Sequence, residues 1–372
     1  MKITIERAAL LAALGHVQNV VERRTTIPIL ANVLIAAADG QMRLTATDLD
    51  MAIDEAAAAD VGQAGATTVQ AHLLFDIVRK LPEGAQVELA LAGDASRMTL
   101  QAGRSSFTLP CLPREDFPVP SDDELPCKFS LAAEELRRLL DKTRFAISTE
   151  ETRYYLNGIY LHDAESGGVA MLRAVATDGH RLAQVETPLP DGAAGMPGVI
   201  VPRKAINELR RLAEGCDDDI EVALSETRIR FGFGEAVLTT KLIDGTFPDY
   251  ERVIPEGNDK ELDVGCAEFR AAVDRVSTIS TEKSRAIKLG LAADKLELSA
   301  ASPDSGTASE ALPVGYAGEP LEIGFNSKYL LEITSEIDGD TARFLLADSV
   351  SPTIITDPGD ERALFVLMPM RV

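Results

Sequence analysis

Acidic and histidine side chains are the first candidates for chemistry in this 372-residue chain. Asp178 and His180 lie two positions apart, and a carboxylate beside an imidazole can perform general acid–base catalysis. Covalent catalysis also needs a nucleophile, and no nucleophile with an orienting network is evident beside this pair. We therefore do not predict catalysis by His180.

Two groups of aspartates could bind a metal ion. Asp48 and Asp50 are separated by one residue, and Asp217 to Asp219 are consecutive. These positions are typical of a turn and of a solvated loop, and the chain contains no Walker A, GxGxxG, GxSxG or HExxH pattern. The sequence therefore predicts no catalytic residue, no metal site and no cofactor.

Cysteine spacing and hydropathy indicate the compartment. The four cysteines are far apart, form no CxxC pair and are expected to be reduced thiols. They are Cys111, Cys127, Cys216 and Cys266. The longest uncharged apolar stretch, 26–38, contains a proline and is shorter than the roughly 20 residues that a membrane helix needs. Because the first residues also lack a signal-peptide pattern, we expect a cytoplasmic protein without a membrane partner.

One hydrophobic pattern occurs three times, at 2–17, 128–143 and 261–276. Each copy begins with apolar residues at alternate positions, which predicts a short strand. Each continues with apolar residues four positions apart, which predicts the buried stripe of a helix. A second strand-then-helix pattern also occurs three times, at 67–81 and, with shorter matches, at 199–212 and 323–334.

Shorter motifs repeat between these segments. Thr47-Asp48 recurs as Thr177-Asp178, and Phe117-Pro118 recurs as Phe247-Pro248 at the same spacing. The repeats predict three α+β domains, each with two helices packed on antiparallel sheets, with boundaries near the Pro- and Asp-rich segments 119–126 and 254–261. We place the domains at 1–122, 123–255 and 256–372. The predicted helices span 6–18, 71–81, 130–145, 203–212, 267–285 and 327–336.

Charge is distributed unevenly along the chain. The whole chain carries −22, which by itself argues against a nucleic-acid-binding protein. The six predicted helices together carry +5, however, so the remainder carries −27. A protein that attracts DNA to one surface and repels it elsewhere would show this segregation. So weak an excess predicts modest, salt-sensitive phosphate contacts rather than sequence-specific binding.

Several blocks of the sequence resemble the bacterial DNA polymerase III beta subunits, the sliding clamps. They are RYYLNG (153–158), ATDGHRLA (176–183), VIVPRK (199–204), DGTFPDYERVIP (244–255) and FVLMPMRV (365–372). MKITIER at the start and TDLDM (47–51) fit as well. The blocks occur in the family's order along the whole chain.

The resemblance implies a non-catalytic processivity factor. Three copies of one fold per chain would form a head-to-tail homodimer, a six-domain ring with helices inside and sheets outside. The ring would encircle duplex DNA without sequence specificity, and in the cell it would be nucleoid-associated. Its protein partners would be the replicative polymerase alpha subunit, the clamp loader delta subunit, repair polymerases and other proteins with clamp-binding motifs.

The family further implies a peptide pocket between the second and third domains. By position its residues are Leu156, Thr177, Gly179, His180, Arg181, Leu182, Pro248, Arg252, Val253, Asn326, Tyr329, Val350, Ser351, Val366, Met368, Pro369, Met370 and Arg371. An apolar, methionine-rich lining suits several peptide partners. Without the resemblance, Met368 to Met370 would be interpreted as a terminal core strand. Ser284, Pro352 and Val372 depart from the family pattern and affect the expected depth and peptide preference of the pocket.

The resemblance and the helix charges together predict a DNA-binding set. It comprises Arg24, Arg79, Lys80, Arg137, Lys142, Arg153, Tyr154, Tyr155, Arg203, Lys204 and Arg210. Arg203 and Lys204 stand at a helix start, where backbone N–H groups can also meet a phosphate. Core or interface packing is the alternative for the two tyrosines. The predicted dimer interface comprises Phe107, Leu109, Ile279 and Glu310.

Two other functions fit the sequence less well. A protein-interaction scaffold of three repeated domains would not need DNA, and an enzyme could contain a site that no known motif reveals. The basic helices favour a DNA-encircling tether over the scaffold, because a scaffold has no reason to concentrate positive charge there.

Overall fold

The computed structural model describes residues 1–118, 124–280 and 285–371. Within these ranges the α-helices are α1 (Arg7–Val17), α2 (Ala71–Lys80), α3 (Ala133–Arg144), α4 (Arg203–Ala213), α5 (Cys266–Ser277) and α6 (Ser327–Ser335). Short 3-10 helices span Pro28–Ala31, Arg114–Asp116, Glu151–Leu156 and Tyr250–Val253. None of the helices in the described ranges has the length and apolar character needed to cross a membrane.

The strands are all short and lie between and beside these helices. They are β1 (Lys2–Glu6), β2 (Asn32–Ala38), β3 (Gln41–Thr47), β4 (Met51–Ala58), β5 (Asp60–Gln63), β6 (Gly65–Gln70), β7 (Gln86–Leu91), β8 (Arg97–Ala102), β9 (Ser105–Leu112), β10 (Cys127–Ala132), β11 (Gly158–Ser166), β12 (Val169–Thr177), β13 (Arg181–Pro188), β14 (Val199–Pro202), β15 (Asp219–Leu224), β16 (Arg228–Phe233), β17 (Ala236–Lys241), β18 (Lys260–Gly265), β19 (Ala286–Ala292), β20 (Lys295–Ser302), β21 (Gly306–Pro313), β22 (Gly315–Tyr316), β23 (Leu321–Asn326), β24 (Thr341–Leu346), β25 (Thr353–Asp357) and β26 (Asp360–Leu367).

Both repeated strand-then-helix patterns are confirmed. The strands β1, β10 and β18 run directly into α1, α3 and α5, and β6, β14 and β23 run directly into α2, α4 and α6. The predicted helix 130–145 begins later, at Ala133, because the residues before it pair with β15. The predicted helix 267–285 ends at Ser277. There the hydroxyls of Ser277 and Thr278 donate to the Asp274 carbonyl and compete with the helical backbone. Positions 281–284 of that prediction lie outside the described residues.

One compact unit comprises residues 1–136, 190–194 and 204–242. Its strands form one antiparallel sheet in the order β10-β15-β16-β17-β4-β3-β2-β6-β9-β8-β7-β1-β5. The pairing of β17 with β4 continues the sheet from the first predicted domain into the second. Leu10 and Leu14 of α1 are fully buried, as the helical spacing of apolar residues predicts.

The other compact unit comprises residues 137–189, 195–203 and 243–371. It contains a nine-stranded sheet in the order β14-β11-β12-β13-β26-β25-β24-β18-β22 and a four-stranded sheet in the order β21-β20-β19-β23. The β13–β26 pair joins the second predicted domain to the third, with Ala183 opposite Phe365. The helices α5 and α6 pack together, and Phe269 meets Phe344 at 5.4 Å between ring centroids.

Several strands leave backbone groups without a ladder partner among the described residues, and β9 and β21 are two of them. Residues 105–110 of β9 pair with β8 on one side only, because β6 reaches just Cys111 and Leu112. The strand β21 stands at the end of the four-stranded sheet and pairs with β20 alone. Such edges need to be covered or they template unwanted pairing.

Candidate functional site

A hydrogen-bonded turn between β12 and β13 presents His180 to solvent. The Asp178 carboxylate accepts the backbone N–H groups of His180 and Arg181 at 2.9 and 3.1 Å. The Thr177 hydroxyl donates to the Arg181 carbonyl at 2.7 Å and accepts the Gly179 N–H at 3.1 Å. Gly179 has φ +88°, a conformation that side chains with a Cβ rarely adopt. The Asp178 carboxylate thus stabilises the turn that contains His180. This structural role accounts for the short spacing between Asp178 and His180.

Arg181 lies beneath this turn rather than on the surface. Its guanidinium donates to Asp178, to Glu332 and to the Phe145 carbonyl. It also lies over the Phe145 and Tyr329 rings, 4.9 and 4.3 Å from their centroids. Because the Arg181 side chain is buried and donates to three protein groups, it supports the predicted pocket from below and is not one of its accessible residues. It holds the ring of Tyr329 in place instead.

Tyr329 and His180 form a stacked aromatic pair above Arg181. Their rings stack with centroids 6.3 Å apart and an interplanar angle of 23°. Burial raises the pKa of the Tyr329 hydroxyl, and the nearby Asp178 carboxylate adds to the shift. Asn326 starts the helix that carries Tyr329, since its side chain accepts the Lys328 N–H at 3.0 Å.

The C-terminal segment, residues 368–371, crosses the surface beside this aromatic pair. The Met368 N–H donates to the His180 carbonyl at 2.9 Å, and the Met370 N–H donates to the Gly324 carbonyl at 2.8 Å. Met368 is 40% exposed, so the interpretation of this segment as a core strand does not hold. Val350 is also exposed, on a turn whose N–H groups the Asp348 carboxylate accepts. Those N–H groups lower the pKa of Asp348.

An apolar cluster lies under the same surface. Its buried members are Leu156, Val175, Leu182, Ile200, Phe247, Tyr250 and Val366. Leu182 and Val366 face each other in the β13–β26 register. Both are nearly inaccessible, so they support the surface from below. Accessible apolar area comes from Val253, which is 48% exposed, and from Met368 and Val350.

These elements lie around the apolar cluster on one compact unit, and the surface that they share is called the groove below. Its walls are the turn at 177–181, the segment at 248–253, the start of α6 and the C-terminal residues 368–371. A cavity of about 760 Å³ continues from Val350, Met370 and Arg371 over the small residues of the four-stranded sheet. Ser284 lies outside the described residues, as does Val372. Pro352 follows Ser351, and its carbonyl accepts the Asn258 amide at 2.9 Å.

Comparison with known proteins identifies the family. Models of the DNA polymerase III beta subunit match in order: the N-terminal domain at 1–121, the central domain at 130–249 and the C-terminal domain at 251–371. The chain belongs to this family. It is 55% identical to the beta sliding clamp of Caulobacter vibrioides over 372 residues, and 40% identical to that of Escherichia coli K12 over 375 residues. Both matches cover all of each chain.

Solved structures of beta sliding clamps match the fold over its whole length. A DnaN sliding clamp from Bartonella birtlesii bound to griselimycin has a TM-score of 0.97 at 52% identity, with both chains fully covered. A Caulobacter crescentus beta sliding clamp, with polyethylene glycol bound to its putative beta-motif tethering region, has a TM-score of 0.98 at 55% identity. That match covers all of this chain and 99% of the other.

The residues predicted to contact DNA differ in accessibility. Arg24, Arg79, Lys80, Tyr154 and Arg203 are exposed; Arg137, Arg153, Tyr155, Lys204 and Arg210 are half-buried. Lys142 is buried, and its ammonium group contacts Asp338 at 2.7 Å and Asp360 at 3.5 Å. Lys142 is therefore withdrawn from the DNA-binding set, because its charge is already neutralised inside the protein.

Other members of the set also have acidic partners. The Lys204 ammonium group contacts Asp48 and lies 3.4 Å from Glu22. Arg153 pairs with Glu150 at 2.7 Å, and this pairing lowers the pKa of the Glu150 carboxyl. These contacts reduce the positive charge that a phosphate would meet.

The predicted tyrosine pair has two different environments. Tyr154 is exposed, whereas Tyr155 packs against the apolar cluster under the groove. Their rings meet edge to face, with centroids 5.8 Å apart. Core packing, the alternative considered for both residues, applies to Tyr155, and Tyr154 remains accessible to a ligand.

The predicted dimer interface divides in the same way. Phe107 on the open part of β9 is 37% exposed, but Leu109 on the same strand is only 5% exposed within its own chain. The Leu109 side chain is buried within its own chain, so Phe107 offers the accessible apolar area of this strand, and the place of Leu109 in the interface stays a prediction. Ile279 is half-buried after α5. Glu310 pairs with Arg275 at 2.5 Å, and this contact lowers the pKa of the Glu310 carboxyl.

Sequence reasoning missed the residues that support the groove. Phe145 and Glu332, which hold Arg181, belong to no motif that signals such a role. The repeated Thr-Asp pair was a sequence signal for the turn. In the structure Thr47-Asp48 makes the same four hydrogen bonds as Thr177-Asp178. In that first copy Lys241 donates its N–H to the Asp50 carbonyl, as Met368 does to His180.

Proposed function

We propose that this chain is a DNA polymerase processivity factor, a sliding clamp that holds polymerases on duplex DNA and catalyses no reaction itself. The observation that carries the proposal is the match of three clamp-domain models, in order, over nearly all of the chain. The domain boundaries at 122/123 and 255/256 are part of the proposal, as is a cytoplasmic, nucleoid-associated location.

Ring closure requires two complementary edges, and two of the open strand edges in the described residues lie in the first and third predicted domains. The open part of β9 and the strand β21 both have unsatisfied ladder groups among the described residues. Head-to-tail pairing of β9 in one protomer with β21 in its partner covers both edges and closes after two subunits. Phe107 is the exposed apolar side chain at this seam. The result is a six-domain ring with helices inside and sheets outside.

Weak DNA attraction suits such a ring. The net charge of −22 repels DNA from most of the surface, and the remaining candidate contacts on and near the helices are few. Arg24, Lys80 and Arg203 are exposed members of that set. Because a closed ring holds DNA topologically, a few phosphate contacts give retention without arresting movement along the duplex.

The groove beside Met368 is the proposed docking site for partners. Flexible methionine side chains adapt to different apolar anchors, which suits a surface shared by several proteins. The polymerase alpha subunit, the clamp loader delta subunit and repair polymerases would each insert a short peptide. Val253 and Met368 would contact its apolar side chains, and Arg252 its polar groups.

Retention on circular DNA tests the tether against the scaffold alternative. The protein is loaded on nicked circular plasmid, separated from free protein by gel filtration, and the DNA is then linearised. A clamp remains on the circle and is lost from linear ends. Equal retention on both forms would refute encirclement, and no retention on either would favour the protein-interaction scaffold. Sedimentation of the same sample reports the dimer.

A further inference from the structure

The groove wall at 248–253 has little internal support. Its regular secondary structure is one turn of 3-10 helix, Tyr250–Val253. Within the wall, Arg252 contacts Asp249 at 2.6 Å, but both side chains are largely exposed. Exposed pairs of this kind contribute little to rigidity. The proposed peptide contacts Arg252 and Val253 therefore depend on an anchor elsewhere.

Tyr250 is that anchor. Its ring is buried in the apolar cluster, 6.3 Å from the Phe247 centroid. Its hydroxyl accepts an N–H from Arg173 at 2.8 Å. The next residue of the wall, Glu251, accepts a second N–H bond from the same Arg173 nitrogen at 2.8 Å. Two successive wall residues thus share one partner.

Arg173 is well placed to fix the wall. It lies on β12 with its side chain buried, and its Nε donates to the buried Glu186 carboxylate at 2.6 Å. The neighbouring strand β13 carries Glu186. One guanidinium therefore ties the wall to two central strands through charge-assisted hydrogen bonds, which are stronger than neutral ones.

We propose that Arg173 is a positioning residue of the peptide groove, acting through Tyr250 and Glu251 to hold Arg252 and Val253 ready for a peptide. It touches no peptide itself. A preorganised wall improves affinity because the ordering cost is met before binding. This inference rests on the proposed function, since it concerns the groove that partners would use.

The same hydroxyl also contacts His162, which adds a pH dependence. The Nδ1 of His162 donates to the Asp163 carbonyl at 2.6 Å, so its Nε2 is the acceptor for the Tyr250 hydroxyl at 3.0 Å. Protonation of His162 would turn its Nε2 into a donor. The Tyr250 hydroxyl would then face two cationic donors, His162 and Arg173. The charged or titratable groups around His162 are Asp163, Arg173, Glu251, Tyr160 and Tyr250.

Burial is the main cause that lowers the pKa of His162, and the neighbouring Arg173 contributes. The contact between His162 and Tyr250 therefore persists at neutral pH and is lost only in acid. We expect peptide affinity to fall only in acid, at a pH lower than the ordinary histidine value of about 6.5, because the folded protein lowers the pKa of His162. If Arg173 and Tyr250 contributed only to general stability, the fall in peptide affinity at acid pH would not depend on the Tyr250 hydroxyl.

The test variant is Tyr250→Phe combined with Glu251→Ala in the full-length dimer. It removes both ties to the wall and leaves the buried Arg173–Glu186 pair and the apolar ring intact. Tyr160→Phe is the matched control, because Tyr160 stacks on Phe247 at 4.9 Å in the same region but its hydroxyl makes no hydrogen bond to Arg173 in the described structure. Glu251→Ala alone is a second variant that changes only an exposed side chain.

Calorimetric titration with a synthetic clamp-binding peptide copied from the polymerase alpha subunit measures the effect at pH 7.5 and 5.5. If the wall is ordered in about a tenth of the variant molecules, Kd rises about tenfold. We expect that rise for the double variant, a smaller rise for Glu251→Ala, and a change under about twofold for Tyr160→Phe. The acid weakening that we expect in wild type should disappear in the double variant.

Equal Kd values for wild type and both Glu251 variants would overturn the positioning role while leaving the groove intact. Retention of the acid step in the double variant would also count against it. If wild type itself binds no peptide, the proposed groove and this inference fall together. Thermal unfolding and sedimentation of each variant show that a weaker Kd reflects the wall and not loss of the fold.

Discussion

Deletion of residues 368–372 tests the groove independently of the fold and of the ring. The segment follows the last strand, β26, so its loss leaves every strand of the three sheets in place. Within the described residues it makes two backbone hydrogen bonds, from Met368 to His180 and from Met370 to Gly324. Both bonds attach it to groove elements. The deletion should therefore abolish peptide binding and leave a dimer that still encircles DNA.

The expected cost in stability follows from those contacts. Two backbone hydrogen bonds contribute about 1 kcal/mol each, so their loss lowers the free energy of unfolding by about 2 kcal/mol. Met368 is 40% exposed, so its removal uncovers little apolar core. Loss of one groove wall and its apolar anchor should raise the Kd for the peptide by at least about 100-fold, which corresponds to about 2.7 kcal/mol of binding free energy.

Calorimetry with the polymerase peptide measures the affinity, and sedimentation and urea unfolding measure the dimer and its stability. Met368→Leu is the matched control, because it preserves volume and apolar character and should bind within a few-fold of wild type. Peptide binding by the truncated dimer at wild-type strength would refute the assignment of the groove. Loss of the dimer would show that the segment supports the fold and not only the groove.

Three further outcomes test the seam, the DNA face and the buried histidine. Phe107→Glu should shift the sedimentation profile toward monomer at low micromolar concentration, because a charge would have to enter both seams of the ring. Arg203→Ala should lower the salt slope of duplex binding by about one phosphate equivalent, whereas Lys142→Ala should leave the slope unchanged and reduce stability in urea. The folded protein holds His162 neutral, so the unfolded chain binds more protons below about pH 6.5 and stability falls as the pH decreases. His162→Gln should flatten that fall in unfolding midpoints measured from pH 7.5 to 5.5.

Much of the fold was accessible from the sequence because its signals are local. Apolar spacing of two and then four residues predicted each strand-then-helix unit, and all six helices occur in the described ranges near the predicted positions. Errors were confined to helix ends. The helix predicted at 130–145 lost its first residues to strand β10, whose pairing partner β15 lies about 90 residues later in the chain. Periodicity in a short window contains no information about that partner.

The family resemblance brought the groove residues together, but it did not separate contacts from supports. His180 and Met368 are exposed and Tyr329 is half-buried, as a peptide site requires. Arg181 belongs to the same motif as His180, yet its buried charge is neutralised from below. A motif reports residue types and spacing, and it does not report which side chains point outward.

By itself, the sequence determined the repeat, the segregation of charge, the family and the set of residues near the groove. Only the tertiary structure decided which of them are available to a ligand. Lys142 is buried against Asp338 and Asp360, Leu109 lies within the core of its own chain, and Arg173 reaches a wall residue 77 positions away. Each outcome depends on groups far apart in the chain. A charge is solvated or neutralised, and an apolar side chain is exposed or buried, only when folding supplies the neighbour.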